Sequence, residues 1–146
     1  MATYKVEVYR PEHLGRMKEV DPYLRKLAEV YQMGPAYTGL ADDEVIVCAG
    51  IVQLWPGHGE AWAIFNGEAE RHKIFIHRNV KRMLERLMCH FDRVETAVRA
   101  DFREGMNWVR HLGFKEEGKM LMYYNKETYV RYARITANHA GFTAKE

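Results

Sequence analysis

Apolar and polar positions alternate at the start of the chain. Tyr4, Val6 and Val8 are separated by Lys5 and Glu7, the period of a half-buried strand over Thr3 to Tyr9. Pro11 suits a first helical turn and holds Arg10 extended, so a short helix to Met17 or Val20 is predicted. Asp21-Pro22 is a second start signal. Leu24, Leu27, Ala28 and Tyr31 then recur at helical spacing until Gly34-Pro35. The next block reads as an antiparallel meander: a strand over Tyr37 to Ala41, a turn at Asp42-Asp43, and a long apolar strand over Glu44 to Leu54. Pro56-Gly57-His58-Gly59 is a dense turn signal before a strand over Glu60 to Phe65, which Asn66-Gly67 breaks.

From Glu68 to about Phe91 the period becomes helical. Ile76, Val80, Met83, Leu84, Leu87 and Phe91 share one face, Arg78, Arg82 and Arg86 share another, and Asn66 is placed to cap. Val94 to Arg99 reads as a strand. A short helix runs from Asp101 or Phe102 to Leu112, stopped by Gly113 in the left-handed region. Lys119 to Lys126 reads as a strand in which Met120, Met122 and Tyr124 alternate, while Thr128 to Ile135 fits either a strand or a helix. The stretch from Thr136 to Glu146 has little to bury and is expected to fray.

The order is β-α-α-β-β-β-α-β-α-β, and strand–long helix–strand is a crossover that makes its two strands parallel. The expected fold class is therefore α/β (α+β), a mixed central sheet flanked by helices, in one domain over residues 1–135. Composition supports a packed core, with 47% hydrophobic and 12% aromatic residues among 146. A formal charge of +2 gives no argument for a nucleic-acid partner. Cys48 and Cys89 stand in apolar runs and read as buried free thiols of a reducing compartment. No cysteine or histidine spacing suggests a metal. With no 18-residue apolar run and no leader-like N-terminus, the chain is expected in the cytoplasm.

Two stretches carry a family resemblance. One is the hairpin Asp43-Glu44-Val45-Ile46-Val47-Cys48-Ala49-Gly50-Ile51-Val52 with Ala61-Trp62-Ala63-Ile64-Phe65. The other is Val98-Arg99-Ala100-Asp101 through Trp108-Val109-Arg110-His111-Leu112-Gly113-Phe114. With the element order, these resemble the GNAT superfamily of acetyl-CoA-dependent N-acetyltransferases over about residues 3–126. The chain is also similar to the small GNAT-like proteins of short-tailed bacteriophages, which share the long basic helix in place of a glycine loop; if it is phage-encoded, the expected cytoplasm is that of the host.

That resemblance implies a fourth strand splaying from the fifth, acetyl-CoA in the opening, and direct attack of an amine on the thioester. It implies cofactor contacts from Ile64, Phe65, Asn66 and Gly67, from Arg71 and His72 toward the phosphates, and from Asp101. Glu60 is the best-placed general base, with His58 in the same turn as a second candidate. Two departures stand out. The family's paired glycines before the long helix are reduced to Gly67, followed by Glu68 and Glu70, which suit the helix dipole and occupy the place of an anion. Val109 stands where many members carry a tyrosine acid, leaving His111, Tyr123 and Tyr124 nearby, of which Tyr123 is the candidate.

Two functions follow as expectations. The first is an acetyl-CoA-dependent N-acyltransferase acting on a small-molecule or protein amine. The alternative is a catalytically degenerate phage protein serving in assembly or host-protein interaction. In that case Arg78, Arg82 and Arg86, with Lys81, would meet an acidic protein partner. That strip also reads as a solvated helix face, and no aromatic interleaving supports nucleic-acid stacking.

Overall fold

The computed structural model describes residues 1–136. Beyond Thr136, the expected frayed tail lies outside the described residues. The elements are β1 (Tyr4–Val8), α1 (Pro11–Arg16), α2 (Pro22–Lys26), β2 (Ala36–Ala41), β3 (Glu44–Trp55), β4 (His58–Phe65), α3 (Lys73–Leu87), β5 (Arg93–Arg99), α4 (Arg103–His111), β6 (Lys115–Tyr124) and β7 (Glu127–Ile135). The seven strands hydrogen-bond in the order β1-β2-β3-β4-β5-β7-β6. The β4–β5 pair is parallel, as the crossover through α3 requires, and the β1–β2, β2–β3, β5–β7 and β6–β7 pairs are antiparallel. This is the expected mixed sheet flanked by helices. The described residues group into two compact units, Met1–Gln53 with Ala61–Leu87, and Leu54–Glu60 with residues 88–136.

In the first unit, α1 buries Leu14, and Met17 and Val20 follow it into a core shared with Tyr9, Leu40, Cys48 and Ile64. Ile76 of α3 packs in a second cluster with Ile46, Val47 and Ala69. Asp21 caps α2 as expected, its Oδ1 accepting the Tyr23 N–H at 2.9 Å. The predicted second helix is nonetheless cut to five residues, with a 3₁₀ turn at Val30–Gln32 completing the apolar spacing. The reason is tertiary: Gln53 N–H donates to the Met33 carbonyl and Ile51 N–H to that of Pro35, tying the segment to β3. Asp42 and Asp43 both have positive φ (48° and 67°), the backbone of a two-residue hairpin turn. The long helix is α3 alone, with 3₁₀ turns at Ala69–His72 and Met88–His90 on either side. Arg78, Lys81, Arg82 and Arg86 are exposed.

The second unit is built on the β5–β7–β6 meander, with Val98 opposite Val130 and Thr96 opposite Tyr132, and α4 contacts β5 and β6. Gly113, at φ 97°, ends α4 while the Phe114 N–H reaches back to the Val109 carbonyl. The predicted turn before β4 contracts to Pro56-Gly57, because His58 and Gly59 already belong to the strand. The Gly57 carbonyl accepts from both Asp92 and Arg93. β6 starts four residues earlier than its apolar pattern suggests, and the stretch Thr128 to Ile135, compatible with either element, falls within the strand β7, which begins at Glu127. The predicted alternation of Met120, Met122 and Tyr124 breaks at Met122, where φ is 54° and the pairing register shifts.

Cys48 is buried, but Cys89 is exposed. At helical spacing Cys89 falls on the side opposite Ile76, Leu84 and Leu87, so an apolar neighbourhood in sequence does not bury it. Among the described residues no helix is long and apolar enough to cross a membrane. No group of three or more His, Cys, Asp or Glu among them is arranged to hold a metal ion.

Candidate functional site

The β4–β5 ladder runs over three pairs, His58 with Arg93, Gly59 with Val94 and Glu60 with Glu95, and the strands continue to Phe65 and Arg99. Because side chains alternate along a strand, His58, Glu60, Arg93 and Glu95 share one face. Glu95 lies opposite Ala133 on β7, which brings Arg131, two residues away, onto the same face. The result is a charged network within the second unit.

Arg131 Nη1 is 3.0 Å from Glu95 Oε1 and 3.8 Å from Glu60 Oε2. It is buried and meets the two carboxylates as ion pairs rather than aligned hydrogen bonds. Its Nη2 reaches the Tyr123 hydroxyl at 3.5 Å, and the guanidinium carbon stands 5.7 Å from the centre of that ring. His58 Nε2 lies 3.1 Å from Glu95 Oε2. Arg93 Nε donates to the same oxygen at 2.9 Å, and its two terminal nitrogens fork onto Glu117. Hydrogen bonds from Arg93 hold the Glu117 carboxyl below the usual carboxylate range. Glu60, whose side chain is 34% exposed, goes the other way. Burial raises its proton affinity first, Arg131 opposes that, Glu95 adds to it, and His58 opposes it.

The structure thus links the predicted base and acid through a third residue, Arg131, that sequence reasoning missed. The signal was present in the alternation of Arg131 with Val130 and Tyr132. It carries a face assignment only once the segment is known to be a strand. Val109, expected from the resemblance to stand in place of a tyrosine acid, is buried.

The predicted cofactor residues 64–72 belong to the first unit. Ile64 points into the core, and Phe65 is partly exposed. Asn66 is buried and works as a bracket. Its Nδ2 donates to the Val45 carbonyl at 2.9 Å, its own N–H to Ile46 at 3.2 Å, and its Oδ1 accepts the Glu68 N–H at 2.9 Å. The predicted cap is not formed: Glu68 is the N-cap of the 3₁₀ turn, without a side-chain cap hydrogen bond, and Asn66 instead closes the turn that leads into it. The Glu19 carboxylate rests on Gly67, where an added Cβ would lie 1.9 Å from Glu19 Oε2. Arg71 Nη1 donates to Glu68 Oε1 at 2.8 Å, and Lys73 Nζ to Glu70 at 3.4 Å. His72 Nδ1 is 2.9 Å from the Tyr4 hydroxyl, and Tyr4 stacks on Phe75. Asp101, in the second unit, accepts a hydrogen bond from Arg99 Nε.

These residues do not fit the diphosphate of a coenzyme A. A phosphate cradle needs bare backbone N–H groups and uncommitted cations. Here Glu68 N–H donates to Asn66, Arg71 and Lys73 are paired to carboxylates, and a third carboxylate covers Gly67.

No protein-family model matches the chain, and no curated protein matches it in sequence. Solved structures do match in fold. An IAA acetyltransferase from Bacillus cereus superposes with a TM-score of 0.74 at 15% identity, over 92% of this chain and 100% of that one. A dodecameric spermidine N-acetyltransferase from Vibrio cholerae gives 0.69 at 12% identity, over 96% and 98%. A Bacillus subtilis acetyltransferase in complex with CoA gives 0.69 at 17%, over 92% and 99%. At these identities the likeness is one of fold, and the fold is that of the GNAT N-acetyltransferases.

Proposed function

We propose that this chain is a GNAT-type N-acyltransferase that acylates a small-molecule or protein amine, with acetyl-CoA as the first donor to test. The observation that carries the reading is Glu60. It is a half-buried carboxylate of raised proton affinity, on the last pair of the three-pair parallel ladder. A donor thioester would supply the acyl group, and the chain's part is proton handling. Glu60 takes the proton an amine must lose to become nucleophilic, and its raised proton affinity moves it toward the pH at which a general base works best. Arg131 holds the carboxylate in place, and the Tyr123 hydroxyl beside that guanidinium is the proton donor for the departing thiolate. Solved structures of this fold include an acetyltransferase of spermidine, a polyamine, which supports an amine acceptor.

The test is acetyl transfer from acetyl-CoA to a panel of amines, spermidine and peptides with free N-termini, read by mass spectrometry. Wild-type protein should give acetylated product, and Glu60→Gln should lower the rate by roughly 10²- to 10⁴-fold with the fold intact. Absence of product with every amine, together with no acetyl-CoA-dependent rise in the unfolding midpoint, would overturn the assignment.

The buried Val109 and the carboxylates before α3 favour a second reading, a non-catalytic phage-encoded domain that binds an acidic protein through Arg78, Arg82 and Arg86 in assembly or host interaction. Its mark would be retention on an immobilised acidic protein, lost when the three arginines are reversed together to Glu. Retention unchanged by that reversal would remove the surface from consideration.

A further inference from the structure

The side chains ahead of α3 form a consistent electrostatic pattern. Glu19 adopts a left-handed backbone conformation, φ 60°, and its carboxylate lies on the open face of Gly67. Glu68 and Glu70 stand in the turn that follows, and each holds the cation three residues on, Arg71 and Lys73. The His72 ring is turned to the Tyr4 hydroxyl, and the Asn66 amide is committed to β3. An incoming diphosphate therefore meets the Glu19 carboxylate over Gly67 and two cations already held by Glu68 and Glu70. The main-chain stretch of β4 that precedes this region carries no such charge, since Ala61 to Phe65 is entirely uncharged.

Resting on the acyl-transfer reading, we propose that the donor is recognised through its pantetheine thioester arm alone. The nucleotide diphosphate adds no affinity, and the substrate class includes acyl-pantetheine thioesters that lack the nucleotide. The physical cause is competition. The negative charge that a phosphate would bring to this helix start is already supplied by the chain's own Glu19, Glu68 and Glu70. An anion arriving there faces like charges that raise the free energy of the bound state. A donor ending in neutral pantetheine meets no such opposition.

The experiment is calorimetric titration of the full chain with acetyl-pantetheine and with acetyl-CoA, repeated on the triple variant Glu19→Gln, Glu68→Gln, Glu70→Gln. All three carboxylates are solvent-facing, so the variant keeps its core. Wild-type protein should bind the two thioesters with affinities within about threefold of each other. In the variant, acetyl-CoA should tighten roughly tenfold as Arg71 and Lys73 are released, while acetyl-pantetheine stays unchanged. Wild-type binding of acetyl-CoA more than about tenfold tighter than acetyl-pantetheine would overturn the proposal. So would a ratio that the triple variant does not move. Binding of neither thioester would instead remove the acyl-transfer reading on which the proposal stands.

Discussion

Arg131 sits where three polar side chains meet. Its guanidinium faces the carboxylates of Glu60 and Glu95 and the hydroxyl of Tyr123, and it is the largest charge opposing the burial that raises Glu60. Arg131→Met should therefore raise the Glu60 pKa further, because burial and Glu95 would act with only His58 against them. The acid limb of the pH–rate profile would move to higher pH, and carboxyl-carbon NMR of Glu60 would show the same displacement without turnover. Arg131→Lys keeps the charge and should move both readouts less, while losing the Nη2 contact to the Tyr123 hydroxyl. An unmoved Glu60 titration in Arg131→Met would disprove the coupling. Glu60 was legible in the sequence as a carboxylate at a strand start. Its partners were not, because pairing in the ladder, not spacing along the chain, makes neighbours of Glu60, Glu95 and Arg131.

Turns and caps decide where the elements stop. The β6–β7 hairpin closes through Asn125 and Lys126, both with positive φ (51° and 62°). Asn tolerates that region, whereas Lys does not. Lys126→Gly should stabilise the protein by about 0.5–1 kcal/mol, the left-handed strain relieved less the added freedom of the unfolded chain. Chemical denaturation would show this as a higher midpoint with an unchanged slope, and a lower midpoint would contradict it. Signals of this kind read well from sequence: Asp21 before Pro22, Asp42-Asp43 and Gly113 each do what their chemistry requires. The segment after Lys26 reads badly. Helical spacing of Leu27, Ala28 and Tyr31 is satisfied by short turns once β3 has claimed the Met33 and Pro35 carbonyls. Met122 fails similarly, as an interior bulge leaves no mark on an alternating pattern.

For the molecule as a whole, His13 and Glu117 point to acid sensitivity, while Glu60, raised when folded, works against it. His13 is fully buried in α1, its Nδ1 accepting the Arg10 N–H at 3.1 Å and lying 2.8 Å from Thr38 Oγ1. Burial lowers its pKa from 6.5, Arg10 and Arg16 lower it further, and Glu7 and Glu12 oppose them. A histidine that resists protonation when folded binds more protons when unfolded. Stability is then full above the unfolded value and is lost as pH falls below it. Glu117, held low by Arg93, adds a second loss at more acid pH, as its unfolded carboxyl begins to protonate. The unfolding midpoint should fall between about pH 7 and about pH 5, and His13→Gln should flatten that limb. A wild-type midpoint constant over the range would contradict the account.

The chain by itself determined its periodicities, its caps and the order of its elements, because these are local chemistry written in neighbouring residues. From them follow the mixed sheet, the parallel pair and the departures at Glu68 and Val109. Only the tertiary structure decided which charges face one another: Arg131 between Glu60, Glu95 and Tyr123, and Glu19 over Gly67. Apart from Tyr123 and Arg131, which face each other across one hairpin, those neighbours lie tens of residues apart, and long-range pairing of strands and packing of loops, not sequence spacing, brings them within a few ångströms.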